Sequence, residues 1–387
     1  MRVSAMGSNL ALTNLAKIGI VTFFLLAIGV IFKNRKNKET AIQTRIRKLI
    51  LLFFAFNIFS TIVGLGNGFY NKVIPDIFNS ISGLTVVYAV AGLSINEKKL
   101  VSFLKTFSIV FTSVFIISLI LMGVSLQMGL NTYLALFPSG LVISYFYFGN
   151  HTDLKFKGKL LVLLLFLLSL KRSIILSFIS TLLFFFSVKK FKNFISILAA
   201  TTIGMLLFVS LVFGLGKLGE RVDLPIVKNT INKINQVNPL SEKYNFKIDS
   251  GGDRVAEVMS VFKAFEENNY SWWIGAGNGF TYRRNYGYFD DLYLLHNVHF
   301  TPIAIISRYG IFISVFIFLI IFKYLFWIIS IYQTSPLSVQ TLLFYQIFGF
   351  TATLFSYSIA TDFILWITMG LIFAYRSKQE MVRAEIT

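Results

Sequence analysis

The chain has 387 residues, of which 56% are hydrophobic and only 14% charged, with a mean hydropathy of +0.72. Soluble domains sit near 45–50% apolar and about 25% charged, so a water-soluble protein of this composition would have too little polar surface to cover itself. The net charge of +19 is spread over short segments between apolar runs, which argues against nucleic-acid binding, and the absence of cysteine excludes disulfides, thiolate metal sites and a cysteine nucleophile.

Taken in chain order, apolar runs cover 16–32, 49–66, 74–94, 101–124, 130–149, 159–171, 172–188, 193–214, 310–331, 338–357 and 360–376. Most approach the roughly 20 residues that cross a bilayer as a helix. They are continuous rather than alternating, and unpaired backbone is not tolerated in lipid, so they read as helices. The first run lacks a basic n-region and a small-residue cleavage site, and is expected to be a retained helix rather than a signal peptide. The expectation is an all-α, polytopic transmembrane bundle of about 11–12 helices. Its divisions are 1–214 (about eight N-terminal membrane helices), 215–309 (a large extracytoplasmic loop with amphipathic helices) and 310–387 (C-terminal membrane helices and a cytoplasmic tail).

Basic clusters fall at Lys33 to Lys48, Lys98–Lys99, Lys155 to Lys159, Lys189 to Lys192 and Arg376 to Arg383. Counting spans puts all of them on one side, the cytoplasmic one by the positive-inside rule. The same count puts Lys171–Arg172 and the segment 215–295 outside. Cations at an external helix end either snorkel to the interface or mark a functional site.

The external segment carries Ser250-Gly251-Gly252-Asp253-Arg254, then an amphipathic stripe at Val255, Val258, Met259, Phe262 and Phe265. Arg254 is expected to open that helix. A cation there opposes the macrodipole, which makes sense beside a bound anion; a surface pairing with Asp253 or Glu257 is the plainer alternative. Trp272–Trp273 fits an interfacial anchor, and Gly275-Ala276-Gly277-Asn278-Gly279 a tight turn closing the loop helix. Asp290–Asp291 reads as solvated charge. Of three histidines, His151 falls in a cytoplasmic loop, whereas His296 and His299 precede the apolar run near Gly310. Histidine suits proton transfer near neutral pH; a zinc pair or a structural pair competes with that reading.

Three features in order resemble the O-antigen polymerase and O-antigen ligase superfamily of bacterial membrane glycosyltransferases, over about 160–315. Leu168-Ser169-Leu170-Lys171-Arg172-Ser173 resembles its Ser-Arg motif at a periplasmic helix end. Gly251-Gly252-Asp253-Arg254 followed by Trp273-Ile274-Gly275-Ala276-Gly277 resembles its large-loop pattern. His299, then nine residues after Phe300 and Gly310, resembles the ligase signature; His296-Asn297 carries the expected dipeptide but lies three residues further from Gly310. The spacing favours His299, and either imidazole fits.

The resemblance implies a GT-C-like fold and an enzyme in the bacterial plasma membrane, multi-pass, with its site on the periplasmic or extracellular face. The donor would be a glycan on undecaprenyl diphosphate, with no nucleotide sugar, metal or other cofactor, and a chain-length regulator is a possible protein partner. Arg172 and Arg254, helped by Lys171, would stabilise the leaving diphosphate, for which bidentate guanidinium groups are suited. His299 or His296 would be the general base on the acceptor hydroxyl. A polysaccharide polymerase contributing to lipopolysaccharide is the leading expectation. A ligase acting on lipid A core is the alternative within the class, and a lipid-linked-oligosaccharide flippase or transporter is the alternative outside it. The last would use membrane-embedded charges, for which Asp76, Lys105 and Asp362 are the candidates.

Overall fold

The structure is a computed structural model that describes residues 21–22, 24–33, 39–127, 140–148, 172–190, 195–197, 199–204, 207, 250–283, 294–296, 298, 300–356 and 363–386. The described residues form helices α1 (Phe24–Lys33), α2 (Ala41–Gly66), α3 (Val73–Ala91), α4 (Glu97–Gln127), α5 (Gly140–Phe148) and α6 (Arg172–Lys190). They continue with α7 (Ile195–Gly204), α8 (Ser250–Glu267), α9 (Thr301–Tyr332), α10 (Leu337–Ser356) and α11 (Phe363–Ile386). A two-residue antiparallel pairing of β1 (Tyr282–Arg283) with β2 (Leu294–Leu295) is the sheet found among them.

Four of these helices, Ala41–Gly66, Val73–Ala91, Thr301–Tyr332 and the Leu337–Leu354 part of α10, are long and apolar enough to cross a membrane. The helical, apolar architecture fits an all-α membrane protein. Large apolar side chains such as Leu51, Ile58 and Ile62 on α2 and Phe312, Phe316 and Leu319 on α9 are exposed. An exposed apolar face of that extent needs lipid or protein to cover it. By contrast 72% of the α10 window is buried against 17% for α2 and α9, so α10 is the central helix and the other two are peripheral.

Several helices run beyond their apolar runs, for identifiable reasons. α2 begins eight residues before its run because Thr40 and Gln43 form a capping box, with Gln43 N donating to Thr40 Oγ1 (3.2 Å) and Thr40 N to Gln43 Oε1 (3.0 Å). α11 continues past its run through Arg376 and Lys378, where Ser377 Oγ meets Thr40 Oγ1 at 3.4 Å. α8 starts at Ser250, so Arg254 lies one turn inside the helix instead of opening it.

Among the described residues, several basic ones gather at one end of the bundle. Tyr88 OH, near the end of α3, donates to Glu39 Oε1 ahead of α2 (2.6 Å), and Ser377 ties the end of α11 to the same place. Gln333 at the end of α9 reaches Val188 O near the end of α6 (3.4 Å). Arg45, Arg47, Lys48, Lys190, Arg376 and Lys378 therefore share an end. At the opposite end lie the close of α2, the start of α3, the start of α9 and the glycine turn.

That turn has a larger role than closing α8. Gly310 (φ 73°, ψ 169°) interrupts α9, and a helix break strands carbonyls before it and amides after it. Four of these find partners outside the helix. Ala276 N donates to Ser307 O (2.7 Å), and Ile311 N and Phe312 N donate to Trp272 O (2.9 Å) and Trp273 O (3.4 Å). Ser60 Oγ of α2 donates to Arg308 O (2.9 Å). The segment 272–276 thus completes the α9 backbone. One residue further on, the turn lies directly on α2: a Cβ on Gly277 would stand 2.1 Å from Gly64 N, and one on Gly64 2.0 Å from Asn278 O. Behind it, Trp272 stacks on Phe265 of α8 (centroids 4.0 Å apart), and Phe265, Phe280, Tyr282, Val298 and Ala304 form a second apolar cluster. Trp272 is therefore a packing residue, while Trp273 is exposed beside Phe312.

Alanine at 310 would adopt a φ that L residues avoid, at a cost of order 1–3 kcal/mol, and its Cβ would sit 2.3 Å from Trp273 O. Gly310→Ala is expected to lower the thermal unfolding midpoint in detergent and to open the 272–280 segment to protease. Gly29→Ala, with nothing within 4 Å of its Cβ, should leave both unchanged.

Candidate functional site

The turn end of the bundle holds a buried cluster of ionisable side chains. Asp76 sits in the first turn of α3, where the helix dipole favours a negative charge. Its carboxylate accepts from three directions: Gly279 N to Oδ2 (2.8 Å), Arg308 Nη2 to Oδ1 (3.3 Å), and His296 Nε2 facing Oδ1 (3.0 Å). Its side chain is 3% exposed; those of His296 and Arg308 are 13% and 15% exposed. Each member comes from a different stretch: α3, the segment after β2, and α9 just before the Gly310 break. The glycine turn links them through Gly279.

Both ring nitrogens of His296 face acceptors. His296 Nδ1 lies 2.9 Å from Phe280 O, and a carbonyl only accepts, so Nδ1 carries a hydrogen. His296 Nε2 lies 3.0 Å from Asp76 Oδ1. Both ring nitrogens are engaged, which leaves His296 without a free lone pair to accept a proton from a substrate.

A second polar group stands beside the first. Asn57 Oδ1 accepts from Ser80 Oγ (2.8 Å), from Tyr309 OH (3.1 Å) and from Asn278 Nδ2 (3.2 Å). Asn278 also reaches Thr61 Oγ1 (3.2 Å) and its N–H donates to Ser60 O (2.9 Å). Asn57 and Asn278 are buried, and their amide groups are paired except for Asn278 Oδ1, which has no partner among the described residues. The network pins the turn against α2, α3 and α9 at once.

From this polar end a cavity of about 320 Å³ runs into the bundle between α2, α3, α9 and α11. Asp76, Asn79, Ser80, Arg308 and Tyr309 line its polar end, and Phe53, Leu84, Ile317, Ile320, Trp366 and Met369 are among its apolar walls. The volume is at the lower end of small-molecule sites, roughly 300–1,000 Å³.

Of the candidates for base and for diphosphate binding, His296 is the one whose side chain the structure describes, and it belongs to this cluster. Arg172 is the first residue of α6 and Arg254 lies in the second turn of α8; for both, the backbone is described and the side chain lies outside the described set. Lys171, His299, His151, Asp290, Asp291 and Asp362 lie outside the described residues. Lys105 is on an exposed face of α4. Arg308 escaped the reading of the sequence, although it is the one Arg or Lys between Asp291 and Lys323, and an isolated cation entering an apolar run is a functional signal. Asp76 was legible as an embedded acid, without its partners.

Removing one partner of a buried ion pair typically costs about 3–5 kcal/mol. Asp76→Ala and His296→Ala should each lower the unfolding midpoint, and the double variant should cost less than the sum of the two by more than about 0.5 kcal/mol. Additive costs in that cycle would show that the two side chains do not interact. Compared with known proteins, the chain matches no family model, no curated protein and no solved structure.

Proposed function

We propose that the protein is a membrane glycosyltransferase that moves a glycan from an undecaprenyl diphosphate carrier onto a hydroxyl of a second lipid-linked repeat unit. It would act as an O-antigen-type polysaccharide polymerase at the outer face of a bacterial plasma membrane. The observation that carries this reading is the apolar cavity inside a bundle of apolar helices, ending in a buried polar and cationic wall. That shape suits a substrate that is hydrocarbon at one end and charged at the other. Grouping of the basic segments at the far end supports placing the cavity's polar end outside the cell.

In the reaction the bond between the anomeric carbon and the diphosphate oxygen breaks while the acceptor oxygen bonds to that carbon. The electron pair leaves with the diphosphate, and the acceptor proton passes to a base. Arg172 and Arg254, with Lys171 nearby, are assigned to the leaving diphosphate, and preorganised donors of that kind are worth roughly 3–4 kcal/mol each. His299 is assigned as the base, since His296 has both ring nitrogens occupied. The buried Asp76, His296 and Arg308 also favour a second reading, a transporter of the lipid-linked glycan, because embedded ionisable groups are what such proteins use.

The test is purified protein with undecaprenyl-diphosphate oligosaccharide and no nucleotide. Longer lipid-linked chains support the polymerase, transfer to lipid A core supports a ligase, and movement across vesicles without new bonds supports the transporter. Arg172→Ala and Arg254→Ala are each expected to reduce turnover at least 100-fold with membrane insertion intact, and His299→Ala to reduce it about 10²–10⁴-fold. Full activity in all three variants would overturn the glycosyl-transfer assignment.

A further inference from the structure

Two neighbouring tryptophans meet opposite environments. Trp272 stacks on Phe265 of α8 with ring centroids 4.0 Å apart, and its carbonyl helps to close the α9 break. Trp273, one residue on, faces outward and is 58% exposed. Ile274 is exposed as well, and the Trp273 ring lies 5.1 Å from that of Phe312, itself 62% exposed. Burial of Trp272 holds the backbone that presents Trp273 and Ile274. Large apolar side chains are thus held out from a segment that lies outside the spanning helices, in a contiguous patch that needs a cover.

Phe312 identifies the cover. It begins a stripe along α9 that continues through Val315, Phe316 and Leu319, all exposed. From Ile311 to Tyr332 this helix has 22 residues, or about 33 Å at 1.5 Å per residue. The hydrocarbon core of a bilayer is roughly 30 Å thick. Lys323, the one charge in that stretch, is exposed in its second half, where the stem can carry the ammonium toward the basic end. A span that starts at the break puts the membrane surface at the level of Gly310, beside Trp273 and Ile274.

Two further side chains agree with that level. Tyr70 and Ile74, between α2 and the first turn of α3, are exposed, and Phe69 just before them packs on Phe280 at the end of the glycine turn. Exposed Trp and Tyr at one level of a helical bundle are the pattern of a membrane–water interface. The end of α8 has the opposite character, since Glu266, Glu267, Asn268 and Asn269 are all exposed.

We infer that Trp273, Ile274 and Phe312 form a lipid-contact ledge that seats the 250–283 segment on the leaflet opposite the basic end. The partner is the boundary between headgroups and acyl chains, and Glu266 to Asn269 stay in water. Asp76, in the first turn of α3, and Arg308, two residues before the break, then lie at headgroup depth, and so does the polar end of the cavity. The inference rests on the membrane reading of the apolar helices and is independent of glycan transfer.

The chain holds no cysteine, so a single introduced cysteine can carry a nitroxide spin label. Labels are placed on Trp273→Cys, Ile274→Cys, Phe316→Cys and Glu266→Cys of the full chain in phosphatidylcholine nanodiscs. Collision with oxygen, which concentrates in lipid, is compared with collision with a water-soluble nickel chelate. The logarithm of the oxygen-to-nickel ratio should be positive at 273 and 274, higher still at 316, and negative at 266. Values at 273 and 274 equal to that at 266 would place the ledge in water. Low collision with both reagents would show a protein surface covering it, and either result overturns the inference. Ile274→Cys leaves Trp273 in place and decides the matter if Trp273→Cys does not fold. A negative value at 316 would instead sink the membrane reading beneath it, and loss of glycan transfer would move none of these ratios.

Discussion

The structure depends on how the backbone of α9 is closed around its break at Gly310. Inside or at the edge of a bilayer there is little water to satisfy loose amides and carbonyls, so a broken helix survives only where protein supplies the missing partners. Here the supply comes from a short segment that itself follows α8: Trp272 O, Trp273 O and Ala276 N take up Ile311 N, Phe312 N and Ser307 O. The exchange ties the polar stretch between α7 and α9 to the membrane helices through main chain, which side-chain substitution cannot easily undo. Arg308 sits two residues before the break, so its direction is set by this closure.

The close approach explains why small residues are concentrated there. Gly277 and Gly64 bring two backbones together with no room for a Cβ on either side. Once the turn is seated, Gly279 presents its N–H to Asp76 and Phe280 its carbonyl to His296. The same five-residue turn therefore helps to close a helix and packs against another, and it and the residue after it furnish two of the hydrogen bonds that organise the ionisable cluster. A motif that looks like simple punctuation is the piece on which three helices converge.

How much of this was legible in the sequence follows from which forces act locally. The apolar runs at 49–66, 74–94, 172–188 and 338–357 became helices because hydrophobicity over some twenty residues is a local property. The amphipathic stripe from Val255 to Phe265 likewise became α8. What failed was the start of α9: the run began at Gly310 because Ser307 and Arg308 dilute its hydropathy, yet Thr301 to Tyr309 is helical, with Pro302 in its first turn. The pairing of Asp76 with His296 spans 220 residues, and nothing in periodicity or spacing announces a contact of that range. Asp76 could be marked as an embedded acid and His296 as a proton-handling candidate, but only the fold makes them a pair. Arg308 was hidden by its neighbours, since attention to the histidine–glycine spacing passes over the residues between.

The partnership of His296 bears on the choice between the two histidines that spacing alone left open. An imidazole can serve as a base only through a free lone pair, and His296 spends both nitrogens on Phe280 O and Asp76. Its contacts tie Asp76 of α3 to the main chain that follows the glycine turn, beside Arg308 of α9. Three ionisable groups from three separate stretches of chain therefore meet at the polar end of an apolar cavity.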